Sequence, residues 1–236
     1  MFSLGLPRIE ALFDVDLPEP ILLVAGGRKP DADWLAEASS GFRVRWSADS
    51  GVLACMEAGF LPQRLVGDAD STPEDVWTHA VLSGVSVTKH PEDKGLTDLQ
   101  LALLAASEES AGTPVLVTGC WGGRFDHLFS NVFSVLWALE RGTRVVALAD
   151  EVELMLILTG GESALIRFTD EVPDVFSLLP LTSECSGVSL KNTRWELEDS
   201  LLLQKHPYSI SNRTEEKEVP VRLQKGILGV YCGWFR

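Results

Sequence analysis

Through the first 150 residues, short β-branched and leucine-rich runs alternate with longer stretches of helical spacing. The apolar runs cover 21–25, 42–46, 64–67, 85–89, 114–118 and 144–149. Each is close to continuous, as expected of a parallel strand covered on both faces. Between them, 31–39, 51–58, 73–82, 98–110 and 127–140 space their apolar residues as helices do. Strand and helix in such strict succession predict a doubly wound α/β unit with a mostly parallel sheet. Ligands bind beyond the carboxyl ends of the strands in such sheets. Chemistry is therefore expected in the loops that follow the apolar runs.

Past Asp150 the texture changes. Segments 151–158, 163–168, 175–179, 187–190, 200–205, 218–223 and 226–231 read as short strands separated by closely spaced turn residues. Helical spacing fades. The pattern predicts a smaller all-β, sandwich-like domain over 151–236, following an α/β domain over 1–150. Ahead of the first apolar run, 8–13 is expected to form a helix.

Composition narrows the function. Apolar residues make up 45% of the 236 positions, enough for a core without disulfide or metal staples. Lys and Arg number 20 against 34 Asp and Glu, a net charge of −14. That field repels nucleic acid and suits cationic small molecules or divalent metals, although acidity also serves solubility alone. Cys55, Cys120, Cys185 and Cys232 lie far apart, without zinc-site spacing, as expected of buried thiols in a reducing, cytoplasmic compartment. The first 20 residues carry acids and prolines and do not read as a secretory signal. No apolar run is long enough to span a membrane.

Polar motifs close several of the apolar runs. Gly67-Asp68-Ala69-Asp70-Ser71 sets two carboxylates two residues apart after a strand. In a turn they converge on a cation such as Mg²⁺, which takes one or two protein carboxylates plus substrate phosphates. Asp70 or Ser71 would equally serve as the N-cap of the helix entered through Thr72-Pro73. In the segment 90–100, Thr97 and Gln100 form a capping-box pattern, and Asp98 suits the helix dipole. Asp98 could instead hold metal while Lys94 meets phosphate. Gly119 to His127 runs from a strand through glycines into a helix, the form of an anion-binding loop. Arg124 would grip phosphate there. Asp126 could be a helix cap, a ribose ligand or a base, and His127 a proton carrier or a packed residue. The run 25–30 after the first strand is a weaker loop of the same kind, and neither is a Walker A sequence. Ser209-Ile210-Ser211-Asn212 offers hydroxyls and an amide to a ligand ring, or only turn chemistry.

Singly these motifs are weak; in their order and spacing they resemble the thiamine pyrophosphokinase family. That family's A-D-G-G-like turn, G-D-x-D-S, D-x-x-x-T-D, G-G-R-x-D-H and S-x-S-N motifs appear as 48–51, 67–71, 93–98, 122–127 and 209–212. The resemblance implies diphosphate transfer from ATP to thiamine with Mg²⁺. It also implies a homodimer with substrates held at clefts between subunits. By position, Asp68, Asp70 and Asp98 would hold the metal. Asp70, Asp98, Lys94 and Arg124 would carry catalysis. Asp49, Gly122, Gly123, Arg124, Asp126 and His127 would bind ATP. Ser209, Ser211 and Asn212 would hold thiamine, with Trp195 stacking on it. Three positions depart from the pattern. Gly95 stands where an acid is usual, Ala69 where an aromatic is common, and Arg213 where the family has Glu. They keep open another alcohol acceptor such as a pterin, or a binding module without catalysis.

Overall fold

The computed structural model describes residues 1–68, 70–91 and 95–235. The chain divides into two compact units, one made of Met1–Leu17 with Glu151–Arg236 and the other of Pro18–Asp150. It opens with a hairpin of β1 (Phe2–Leu6) and β2 (Ile9–Phe13).

The second unit then runs β3 (Ile21–Val24), α1 (Ala32–Ser39), β4 (Val44–Ala48), α2 (Gly51–Glu57), β5 (Arg64–Gly67), α3 (Glu74–Leu82), β6 (Ser86–Lys89), α4 (Asp98–Glu109), β7 (Val115–Thr118), α5 (Phe125–Leu139) and β8 (Val145–Ala149). Its strands lie in the order β8-β7-β3-β4-β5-β6, each pair parallel. Every residue of β3, β7 and β8 is buried, which explains their unbroken apolar sequences. β6 has no buried residue and closes the edge with polar side chains. From β3 the chain moves outward through β4, β5 and β6, then crosses back to β7 on the other side of β3. Right-handed crossovers therefore put α1, α2 and α3 on one face of the sheet and α4 and α5 on the other. The packing of α1 on α2 and of α4 on α5 agrees. The reversal leaves a crevice at the carboxyl ends of β3 and β7.

The first unit resumes with β9 (Glu153–Thr159), β10 (Ser163–Phe168), β11 (Val175–Pro180), β12 (Glu184–Leu190), β13 (Leu197–Leu203), β14 (Glu218–Arg222) and β15 (Ile227–Gly233). One antiparallel sheet follows the order β1-β2-β10-β14-β12-β13. β15 pairs with β11 on one side and β9 on the other, also antiparallel. In β2 and β10 burial alternates, so every second side chain enters the core. Phe13 and Phe176 are fully buried there.

Two expectations need correction. Residues 8–13 form a strand, not a helix: Ile9, Ala11 and Phe13 point to one buried face while β2 pairs with β10. Arg8, at φ 71°, makes the turn that folds β1 back. Consequently 1–17 belongs with the β-rich unit and not with the α/β unit, because its hydrogen-bonding partners are strands of the former.

Candidate functional site

The crevice of the Pro18–Asp150 unit is built from close backbone contact between the loops after β3 and β7. Gly27 N donates to Gly119 O at 2.6 Å and Arg28 N to Trp121 O at 2.7 Å. Gly119 has φ 66°, and a Cβ there would fall 2.2 Å from Ala25 O. Only glycine lets these loops meet. Gly122 and Gly123 follow, both left-handed, and turn the chain into α5. Arg28 anchors the first loop by donating through Nε and Nη2 to Oδ2 of Asp150, at 2.9 and 2.6 Å. The Asp150 side chain is wholly buried.

Arg124 occupies the N-cap position of α5 but makes no side-chain cap. Asp126 is not the cap either; it lies inside the first turn. Its carboxylate accepts from Arg124 Nε at 3.1 Å and Nη2 at 2.5 Å, on an exposed surface. The hydrogen bond and charge of Arg124 hold the Asp126 carboxyl below its ordinary range, and those of Asp126 raise Arg124. His127 is exposed beside them. An exposed guanidinium at a glycine-rich helix start suits an anionic ligand.

The acidic motifs gather at the ends of β4 and β5. Carboxylate oxygens of Asp49, Asp68 and Asp70 lie within 4.8 Å of one another. Asp49 and Asp68 are buried and Asp70 is exposed, so the group opens toward solvent through Asp70. Asp68 Oδ1 accepts from the Asp70 amide at 3.1 Å. Asp49 adopts φ 46° and donates its amide to Val66 O at 2.8 Å. Gly67 permits this approach, since a Cβ there would fall 3.1 Å from Asp49 Cα. Burial raises the Asp49 carboxyl above its usual range. Bonds from the Ser50 amide and Thr72 hydroxyl oppose that rise, while the charges of Asp98 and Asp70 add to it. Negative charges crowded this closely favour a cation among them. Hard oxygen donors in a partly open cluster fit Mg²⁺.

Asp98, expected as a ligand, is the first residue of α4 and acts on Asp49 through its charge. The tight group also contains Asp49, expected among the ATP-binding residues. Strand order explains this: β4 and β5 are parallel neighbours, with Ala48 opposite Val66, so the residues that follow them emerge side by side. Asp70 and Ser71 do not cap α3, whose N-cap is Pro73 without a side-chain bond. Thr97 and Gln100 do form a reciprocal capping box. Lys94 and Asp93 lie outside the described residues.

In the β-rich unit, Asn212 is buried and its amide is engaged on both sides. Its Oδ1 accepts from Trp195 N at 3.1 Å and Arg213 N at 2.8 Å. Its Nδ2 donates to Trp195 O at 2.8 Å and Thr193 Oγ1 at 3.2 Å. Asn212 thus holds the 193–195 turn, in which Trp195 is 54% exposed. Arg194 lies over that ring at 4.9 Å from its centroid. Ser209 Oγ donates to Leu178 O at 2.6 Å, and Ser211, at φ 59°, donates its amide to Ser177 Oγ at 3.0 Å.

Residues 35–147 match the family described as thiamin pyrophosphokinase, catalytic domain, and residues 164–228 match thiamin pyrophosphokinase, vitamin B1 binding domain. Thiamine pyrophosphokinase 1 of Arabidopsis thaliana is 27% identical over 175 residues, 72% of this chain. The match spans 64% of that plant relative's length. Thiamine pyrophosphokinase of Bacillus subtilis is 24% identical over 88% of this chain and 95% of its own. The crystal structure of the Bacillus subtilis thiamine pyrophosphokinase superposes with a TM-score of 0.76 at 22% identity, covering 92% of this chain and all of that one. It shares the fold.

Proposed function

The chain belongs to the thiamin pyrophosphokinase family, and from that premise we propose that it moves the diphosphate of ATP onto the hydroxyl of thiamine, giving thiamine diphosphate and AMP. The observation that carries this reading is the group of Asp49, Asp68 and Asp70 beyond the strand ends, in the same α/β unit as the glycine-rich loop ending in Arg124.

The hydroxyl oxygen attacks the β-phosphorus of ATP in line with the bond to the α–β bridging oxygen. That bond breaks and AMP leaves with its electron pair. Asp49, Asp68 and Asp70 would hold Mg²⁺, with Asp98 beside them. When bound, the metal supplies positive charge against the transferring diphosphate. Arg124 would exchange its bond to Asp126 for phosphate oxygens, while Gly122 and Gly123 present backbone N–H groups. Asp70 or Asp98 would accept the hydroxyl proton. Asp126 and His127 would border the nucleotide, and Lys94 would meet its phosphates. In the β-rich unit, Trp195 would stack on the thiamine ring, with Asn212, Ser209 and Ser211 holding the surrounding turns. Trp195→Ala is expected to raise KM for thiamine about tenfold while moving kcat less, since the ring binds substrate and transition state alike. Steady-state kinetics at saturating Mg·ATP reads this directly.

The chain would work as a homodimer. Phe125 and Phe129 are 77% and 55% exposed on α5, with ring centroids 6.2 Å apart. Phe133 continues the stripe 4.6 Å further on. Such an apolar stripe suits a second copy. A cytoplasmic setting is supported by four buried cysteine thiols. No helix among the described residues is long and apolar enough to cross a membrane.

A second reading rests on Arg194 over Trp195 and on Arg213 next to Asn212. Positive charge at the aromatic platform favours a neutral acceptor alcohol, such as a pterin, over cationic thiamine. The deciding experiment measures AMP release from Mg·ATP with and without thiamine. Thiamine-dependent AMP, with thiamine diphosphate as co-product, is the expected result. AMP formed only with a pterin alcohol would replace the acceptor. ATP binding with no AMP from either would leave a binding module.

A further inference from the structure

Thr72 stands among the carboxylates without being one of them. Its hydroxyl donates to Asp49 Oδ1 at 3.1 Å, and both residues are more than nine-tenths buried. A threonine immediately before Pro73 reads as a helix entry, yet α3 begins with no side-chain cap. The hydroxyl faces the acidic group instead.

We infer that Thr72 is a positioning residue that fixes the Asp49 carboxylate for cation binding. This rests on the reading of Asp49, Asp68 and Asp70 as the cation-holding group. The Asp49 backbone is already set by its amide bond to Val66 O and the close approach of Gly67. What stays adjustable is the rotation of the carboxylate about its side-chain bonds. Together with the bond from the Ser50 amide, a donor on Oδ1 restricts that rotation and holds the carboxylate in one orientation toward Asp68 and Asp70. Threonine suits the task because its branched Cβ restricts its own rotamers. A hydroxyl also carries no charge. An Arg or Lys in this place would orient the carboxylate equally well but compete with the cation for it. Substituting partners of this kind commonly costs about 10–100-fold in metal affinity.

The test titrates the full chain with Mn²⁺ alone and follows loss of the free-ion paramagnetic resonance signal. Thr72→Val, which keeps the shape and removes the hydroxyl, is expected to weaken Mn²⁺ binding about tenfold or more. Thr72→Ser, which keeps the hydroxyl, is expected to stay within about threefold of the parent, well short of that loss. Far-ultraviolet circular dichroism checks that each variant is folded. Should the valine variant not fold, Thr72→Ala removes the same hydroxyl with less bulk and is judged by the same criterion. Equal Mn²⁺ affinity in the parent and the hydroxyl-free variant would overturn the role of Thr72 and leave the cation site standing. Failure of the serine variant to restore affinity would likewise assign the effect to packing. No Mn²⁺ binding by the parent would remove the cation site itself, and the role of Thr72 with it.

Discussion

Asp70→Asn is expected to lower turnover by about a hundredfold or more, the range seen when a group stabilising transition-state charge is lost. The substitution keeps the size of the side chain and removes its charge. It also leaves the Asp70 amide free to keep its bond to Asp68 Oδ1. Asp70 is the exposed member of the acidic group, through which the cluster meets solvent and where phosphate-bound metal would arrive. The charge of Asp70 raises the Asp49 carboxyl, a sign of repulsion that the asparagine relieves. Thermal unfolding of the variant should therefore match or slightly exceed that of the parent. AMP release at saturating Mg·ATP and thiamine supplies the comparison. Turnover within a few-fold of the parent would exclude Asp70 from holding the cation.

Arg28→Ala should produce the largest loss of stability from a single exposed-loop residue. The Arg28 side chain is 31% exposed, whereas its partner Asp150 is fully enclosed at the end of β8. Removing the guanidinium takes two donors from one oxygen of a buried carboxylate, a change that commonly costs about 3–5 kcal/mol. The urea midpoint should fall by more than about 1 M, given slopes of about 1–3 kcal/mol/M. The pair of Lys29 with Glu57 provides a contrast on the surface, where both partners are exposed and such pairs contribute about 0–1 kcal/mol. A midpoint for Arg28→Ala no lower than that for Lys29→Ala would show that the Arg28 pair is worth no more than a surface contact.

Most of the α/β framework was legible because its strands are covered on both faces. Val115–Thr118 and Val145–Ala149 have no polar face to confuse the pattern, and the helices between strands kept their apolar spacing. The first hairpin was not legible. Ile9, Ala11, Leu12 and Phe13 fit a helical stripe as readily as a strand, and only pairing with a strand far along the chain decides between them. The start of α5 at Phe125 also escaped, because Asp126 imitates a cap in the sequence while lying inside the first turn. At the site, the motifs Asp68 and Asp70 were visible as spacing. The membership of Asp49 depends on β4 lying beside β5, which no local pattern encodes. Thr72 was hidden for a related reason: ahead of proline it resembles helix punctuation, and its true partner is on another strand's loop. The sequence suggests Asn212 as a ligand contact; that its amide holds the turn carrying Trp195 depends on pairing no local pattern encodes.

The way the chain enters and leaves its β-rich unit bears on synthesis at the ribosome. Pro18–Asp150 is one uninterrupted segment that ends just past β8. The opening hairpin has its strand partner far along the chain. Phe13 must find Ala164, and β14 must then arrive to extend the same sheet. A lone two-stranded hairpin is at best marginally stable in water. The hairpin is translated ahead of the strands it pairs with and so settles late, as an apolar thread bearing Phe2 and Phe13. A chain cut short near Asp150 would leave the hairpin with no sheet to join.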